Sequence, residues 1–202
     1  APWEPVACDI FVTEATFGLP VFRHPDPAAE TRRLLASMAE FPDRKHLIGA
    51  YALGKAQRVI ALLRAEGYDA PIHLHGAAQR LTEYHVAQGI ALGDLRPATT
   101  PKDIEGQVVI APPPAFASPW GQRFRDPVIG FASGWMTVRA RARQRGVELP
   151  LVISDHVDWP QLTQTLQELR PEEVWVTHGA EEGARVHRRP GRRCFDTMDG
   201  RE

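Results

Sequence analysis

Ile153-Ser154-Asp155-His156-Val157-Asp158-Trp159 is the stretch whose reading decides the fold, taken together with Thr177-His178-Gly179. In each, a histidine follows a short apolar, β-branched run, and Pro160–Leu169 between them has the spacing of an amphipathic helix. Strand, helix and strand in that order make a parallel βαβ unit. In open α/β sheets, ligands are held outside the carboxyl ends of such strands. Both histidines fall there, which makes them the first candidates for chemistry.

The same alternation runs outward from this stretch. Residues 8–13 (Cys-Asp-Ile-Phe-Val-Thr) read as a buried strand, with Cys8 as a small buried residue. Asp26-Pro27 is a helix start, Asp capping and Pro in the first turn, and the helix runs to about Ala39 with Leu34, Leu35 and Met38 inward. His46–Tyr51 is a strand, and Leu53-Gly54-Lys55 opens a helix that buries Val59, Ile60, Leu62 and Leu63. Pro71–His75 is a strand, followed by a helix from about Ala77 to Gln88; residues 89–106 read as loop. Strands follow at Gln107–Ala111, Val128–Ala132, Leu149–Ser154 and Glu173–Thr177. A chain alternating in this way is α/β with a largely parallel sheet flanked by helices.

Composition narrows the function classes less than the pattern does. With 43% apolar and 24% charged residues in 202, the chain is ordinary globular protein. A net charge of -1 gives no bulk argument for nucleic acid or membrane, so any such argument rests on local patches. Cys8 and Cys194 belong to no C-x-x-C pair. There is no signal peptide and no 18-residue apolar span, so a soluble, cytoplasmic setting is expected. The opening Ala1-Pro2-Trp3-Glu4-Pro5, without an initiator methionine, reads as the interior of a longer protein.

Four local features carry charge or ligand chemistry, each with two readings. Glu14 ends a strand, as a functional acid or as a cap and turn residue. Gly54-Lys55 at a helix start suits an anion, or is a helix start with a solvated lysine. His73-Leu74-His75 offers a ligand pair, or two histidines of a strand without a metal. Arg139, Arg141, Arg143 and Arg145 form a phosphate-tracking surface or a solvated edge; extended they line one face, helical they spread over two. Ala184–Glu202 adds six more arginines with little apolar periodicity and reads as an exposed or disordered tail.

With these residues in view, the chain resembles the β-CASP branch of the metallo-β-lactamase-fold nucleases, most of all the bacterial ligase-associated DNA exonucleases. The likeness runs from about Cys8 to Gly179 and rests on four ordered segments. Asp9-Ile10-Phe11-Val12-Thr13-Glu14-Ala15-Thr16-Phe17-Gly18 is similar to the first β-CASP motif, with Glu14 as its acid. Tyr51-Ala52-Leu53-Gly54-Lys55-Ala56-Gln57 is similar to the segment opening the inserted domain's main helix. Ser154–Trp159 is similar to the second motif, with His156, and Val176-Thr177-His178-Gly179 to the third, with His178.

The resemblance implies a β-CASP domain inserted in the C-terminal part of a metallo-β-lactamase αββα domain. Residues 1–22 and 131–181 would belong to the latter, 23–130 to the insert, and 182–202 to an atypical Arg-rich tail. It implies a hydrolase that cuts phosphodiester bonds of nucleic acid, a DNA exonuclease linked to repair, at two zinc ions. Glu14 and His156 would be catalytic, His156 protonating the leaving oxygen. His178 would bind metal, and Lys55, Arg139, Arg141 and Arg143 would contact substrate. Asp155 or Asp158 would support the histidines from behind.

The departure from that family is large. Its His-x-His-x-Asp-His motif and two further ligands are absent, since His73-x-His75 lacks the Asp-His that should follow. One or no zinc is therefore expected here, with the isolated chain inactive, self-associating, and partnered by a missing N-terminal half and a DNA ligase system. The other readings are a non-catalytic nucleic-acid-binding module and a degenerate remnant.

Overall fold

Among the described residues every strand pairing is parallel, as the alternation of strands and helices requires. The computed structural model describes residues 4–179 and 193–196. In chain order the elements are β1 (Ile10–Ala15), α1 (Pro27–Glu40), β2 (His46–Gly49), α2 (Lys55–Ala65), β3 (Ile72–Leu74), α3 (Gly76–Ala87) and β4 (Leu95–Pro97). Then follow β5 (Val108–Ala111), β6 (Val128–Ala132), α4 (Arg139–Gln144), β7 (Leu149–Leu151), α5 (Trp159–Leu169), β8 (Glu173–Gly179) and β9 (Arg193–Asp196). They form a six-stranded sheet, β4-β3-β5-β2-β6-β7, and a three-stranded sheet, β1-β8-β9.

The chain divides into two compact units: Pro25–Asp155, and Ala1–His24 with His156–Glu202. The boundaries read from the resemblance stood at 22/23 and 130/131; here β6 and β7 are paired within the larger unit.

In the larger unit the central strands are buried throughout, because helices or turns cover both faces of the sheet. Ile48, Ile72, Leu74, Val108 and Ile110 meet Leu34, Met38, Val59, Ile60 and Leu63 of α1 and α2 on one face. On the other, Leu47 and Val109 meet Ala98, Ile104 and Phe124, with Phe116 and Trp120 alongside. Helix α1 starts as the sequence dictates: Asp26 accepts a hydrogen bond from the Ala28 N–H at 3.0 Å, and proline opens the first turn.

The smaller unit sets α5 against β1 and β8. Leu162 and Leu166 pack on Ala15 and Val176, with Phe11 and Val174 beside them. Each leucine buried in this way stabilises by roughly 1.5–3 kcal/mol. The alternate positions of β1 carry Ile10 and Val12, both exposed. Helix α5 starts at a capping box: Asp158 accepts from the Gln161 N–H at 3.0 Å, and the Gln161 side chain accepts from the Asp158 N–H at 3.2 Å.

Four expectations change. Residues 89–106 are not all loop, because β4 pairs with the open edge of β3. Arg193–Asp196, placed in an unstructured tail, forms β9 beside β8; the rest of that tail lies outside the described residues. Both are edge strands, held by backbone hydrogen bonds that leave little trace in side-chain periodicity. Cys8 is half-buried ahead of β1, with a free thiol, instead of sitting in a core. Strand β7 ends at Leu151, where the Ile153 N–H turns back onto the Leu151 carbonyl, and it lies in the six-stranded sheet, so β7 and β8 are not the neighbouring strands of one βαβ unit that the opening stretch implied. Among the described residues no helix is long and apolar enough to cross a membrane.

Candidate functional site

The ends of β1 and β8 bring together two of the stretches that the sequence singles out. Their register runs from Ile10↔Glu173 to Thr13↔Val176, then slips, so that Ala15 pairs with Gly179. Glu14 therefore stands opposite Thr177 and His178, two residues against one, as in a bulge. Glycine is required at 179 because the strands close there. A Cβ would lie 2.1 Å from the Ala15 carbonyl carbon, and φ is +111°.

The bulge presents Glu14. Its Oε2 accepts a hydrogen bond from the Thr16 N–H at 2.7 Å, and its Oε1 lies 3.1 Å from Nδ1 of His156. Burial raises the pKa of this carboxyl, but the hydroxyl and N–H of Thr16 and then the His156 ring outweigh it, so the pKa falls below its ordinary value. His156 stands just ahead of α5, with its side chain 52% exposed. Its ring meets the edge of buried Phe17 at 6.0 Å, and Phe17 also packs on His24 at 4.8 Å and Phe22 at 5.1 Å. A carboxylate at Nδ1 selects the tautomer protonated there and turns Nε2 to the opposite edge of the ring. The pair can thus orient an imidazole for proton transfer.

His178 is exposed near the end of β8. Asp158 is buried and structural: besides capping α5, it accepts from the His24 N–H at 2.7 Å. Asp155 belongs to the larger unit and pairs with Lys55 at 3.0 Å and Arg58 at 3.5 Å. Neither aspartate is paired with a histidine ring in the described hydrogen bonds and ion pairs. Thr16, Phe17 and His24 had no signal of their own in the sequence. Thr16 and Phe17 are near Glu14 in the chain, inside the Asp9–Gly18 segment, whereas nothing in the sequence pointed to His24.

Lys55 is not a solvated cation. Its ammonium is buried, donating to the Ile153 carbonyl at 3.0 Å and pairing with Asp155. Burial lowers its pKa more than Asp155 raises it. The N–H groups of Lys55 and Ala56, which an anion would need, are spent on the carbonyls of Leu53 and Tyr51. Lys55 and Arg58 together hold residues 153–155 to α2.

The paired-histidine reading also fails on geometry. His75 lies outside β3 as the cap of α3, accepting from the Ala77 N–H at 3.1 Å, with its ring 4.7 Å from Trp120. His73 is buried in β3, with Nδ1 3.1 Å from the Pro97 carbonyl oxygen. Among the described residues, no group of three or more His, Cys, Asp or Glu side chains could hold a metal ion.

The arginine run is helical, so the two-faced alternative holds. Arg139 and Arg143 share one flank of α4, and Arg141 and the adjoining Arg145 the other. Arg141 lies over Trp135, 3.7 Å from the ring centre, and Arg145 over Phe131 at 5.4 Å. All four are exposed.

No family model matches the chain. It is 27% identical over 182 residues to a protein described as "Probable DNA ligase" from Opitutus terrae (strain DSM 11246 / JCM 15787 / PB90-1). The alignment takes in 87% of this chain but 18% of the ligase, so the chain spans less than a fifth of the relative it resembles.

Proposed function

We propose that this chain is part of a zinc-dependent nuclease of the β-CASP branch, acting on the phosphodiester bonds of DNA as an exonuclease linked to repair. The observation that carries this reading is the Glu14–His156 pair: a carboxylate held by Thr16, 3.1 Å from a half-exposed imidazole at the end of a parallel strand pair. In that role His156 hands a proton to the departing oxygen, and Glu14 orients the ring. The likeness to a DNA ligase supports DNA as the substrate and a ligase system as the partner.

The described residues do not fit the zinc that the family implies. His178 is one exposed donor beside Glu14, whereas zinc takes about four ligands. Under this proposal the remaining donors come from a second segment or subunit, so no catalytic step of this chain is written through the metal.

The test joins the chain to a segment bearing His-x-His-x-Asp-His and follows zinc-dependent release from end-labelled DNA. Glu14→Gln and His156→Asn are each expected to lower the rate by roughly 10²–10⁴. Full activity in either variant removes that residue from the mechanism.

A non-catalytic nucleic-acid-binding module is the second reading, favoured by the lack of a metal-binding group among the described residues. It predicts DNA binding unaffected by chelator, with no cleavage in any zinc-supplied assembly.

A further inference from the structure

A strand at the edge of a sheet leaves a row of backbone groups without partners, and folds protect such edges. Both edges of the six-stranded sheet are protected. Strands β4 and β7 are three residues long, and each carries a proline, Pro97 and Pro150. The Ala98 N–H donates to the Leu74 carbonyl at 2.8 Å, and the Ser133 N–H to the Leu151 carbonyl at 3.0 Å. Alternate residues of a parallel ladder bond to the same side, so both prolines stand on the outward side. An added strand would need an N–H there, and proline has none.

Strand β1, an edge of the three-stranded sheet, has neither device. It is six residues long, without proline or lysine. The Glu173 N–H donates to the Asp9 carbonyl at 2.9 Å, which turns Asp9, Phe11 and Thr13 toward β8 and the N–H and C=O of Ile10 and Val12 outward. Among the described residues, nothing bonds to those outward groups. The two residues are 47% and 54% exposed. Beside them a groove of about 350 Å³ runs between Phe11 and Thr13 of β1 and Gln161, Thr165 and Glu168 of α5. No residue of β8 lines it, so it opens along the same free edge.

Charge narrows what fits. In residues 4–24 and 156–179, acids outnumber lysine and arginine by seven to two. Asp9 is exposed just ahead of β1, and Glu168 is exposed in the groove. Nucleic acid would be repelled there, and a second copy would bring the same excess of acid to its own edge. An extended polypeptide bearing lysine or arginine meets both the backbone row and the charge.

We propose that the outer edge of β1 takes up one strand of a basic, extended polypeptide, whose backbone pairs with Ile10 and Val12 and whose side chains enter the groove beside α5. Main-chain bonds supply the affinity of such a contact, and the groove and its acids choose the partner. This holds whether or not Glu14 and His156 act on DNA.

The full chain is titrated into a short fluorescein-labelled peptide that alternates valine with threonine and carries lysine at both ends. Anisotropy should report binding. At saturation, amide exchange read by NMR should slow at least about tenfold at Ile10 and Val12 and stay unchanged at Phe11 and Thr13. Val12→Pro removes an outward N–H and should weaken binding roughly tenfold, whereas Val12→Thr, which keeps it, should not. A peptide N-methylated at two adjacent central residues is blocked on both of its edges and should fail to bind the unaltered chain, a test that leaves the fold untouched. Glutamate in place of the peptide's lysines should weaken binding at least about tenfold. The proposal is overturned if the unaltered chain does not bind, if the methylated or the acidic peptide binds as well as the first, if folded Val12→Pro does, or if all four amides slow equally. Slower exchange at Ile10 and Val12 as protein concentration rises without peptide would give the edge to a second copy. The same protection by oligothymidylate would give it to nucleic acid, and either result also overturns the proposal.

Discussion

At the scale of single residues, the Glu14 carboxylate is tied from two sides, by the Thr16 N–H and by His156. Its pKa is depressed below the ordinary 4.5, so the stabilisation it provides is fully present above that value. That stabilisation is lost as pH falls through the lower folded value. Urea unfolding of the unaltered chain and of Glu14→Gln should therefore differ by a constant amount above about pH 5 and converge below it. A gap that stays constant down to strongly acid pH would show that the carboxylate is not held as described. Glu14 and His156 come from opposite ends of the chain, and no spacing rule joins them. The sequence alone left Glu14 open between acid and turn residue; in the fold, the turn through Thr16 holds its carboxylate beside His156.

At the scale of elements, the close approach of β1 and β8 decides what Gly179 must be. Gly179→Ala adds a methyl at 2.1 Å from the Ala15 backbone, in a left-handed conformation, where neither strand can yield. The loss should be on the order of 3 kcal/mol, read as a lower urea midpoint. Gly54, at the start of α2, shares a positive φ of 78° but has nothing within 4 Å of an added Cβ. Gly54→Ala should cost only the backbone term, about 1–2 kcal/mol. Equal losses at the two positions would refute the strand-closure account. The element scale is also where sequence reading was least complete. Edge strands β4 and β9 are short and defined by their neighbours' open edges, and α4 opposes the charge rules by which helices are recognised.

At the scale of the whole molecule, the donor set bears on metal content. With one candidate zinc ligand, His178, and no three-donor group among the described residues, the purified chain should retain less than one zinc ion after gel filtration. Elemental analysis finding two ions per chain would overturn that expectation and require donors beyond the described residues. On β1, Ile10 and Val12 are exposed.

The sequence by itself determined the class of this protein. Alternating apolar runs and amphipathic helices leave little choice but a parallel α/β fold, because period and burial are local properties of the chain. It also singled out Glu14, His156 and His178, through their likeness to a known family. The tertiary structure alone decided what each charged group does. It buried Lys55 against Asp155, turned His75 into a helix cap, made Asp158 the start of α5, and set Arg139 and Arg143 on an unpaired flank. It also joined Glu14 to the histidine of the opening stretch, Ile153–Trp159. A side chain's role depends on partners distant in sequence and on the water it loses, and neither is written in its own neighbourhood.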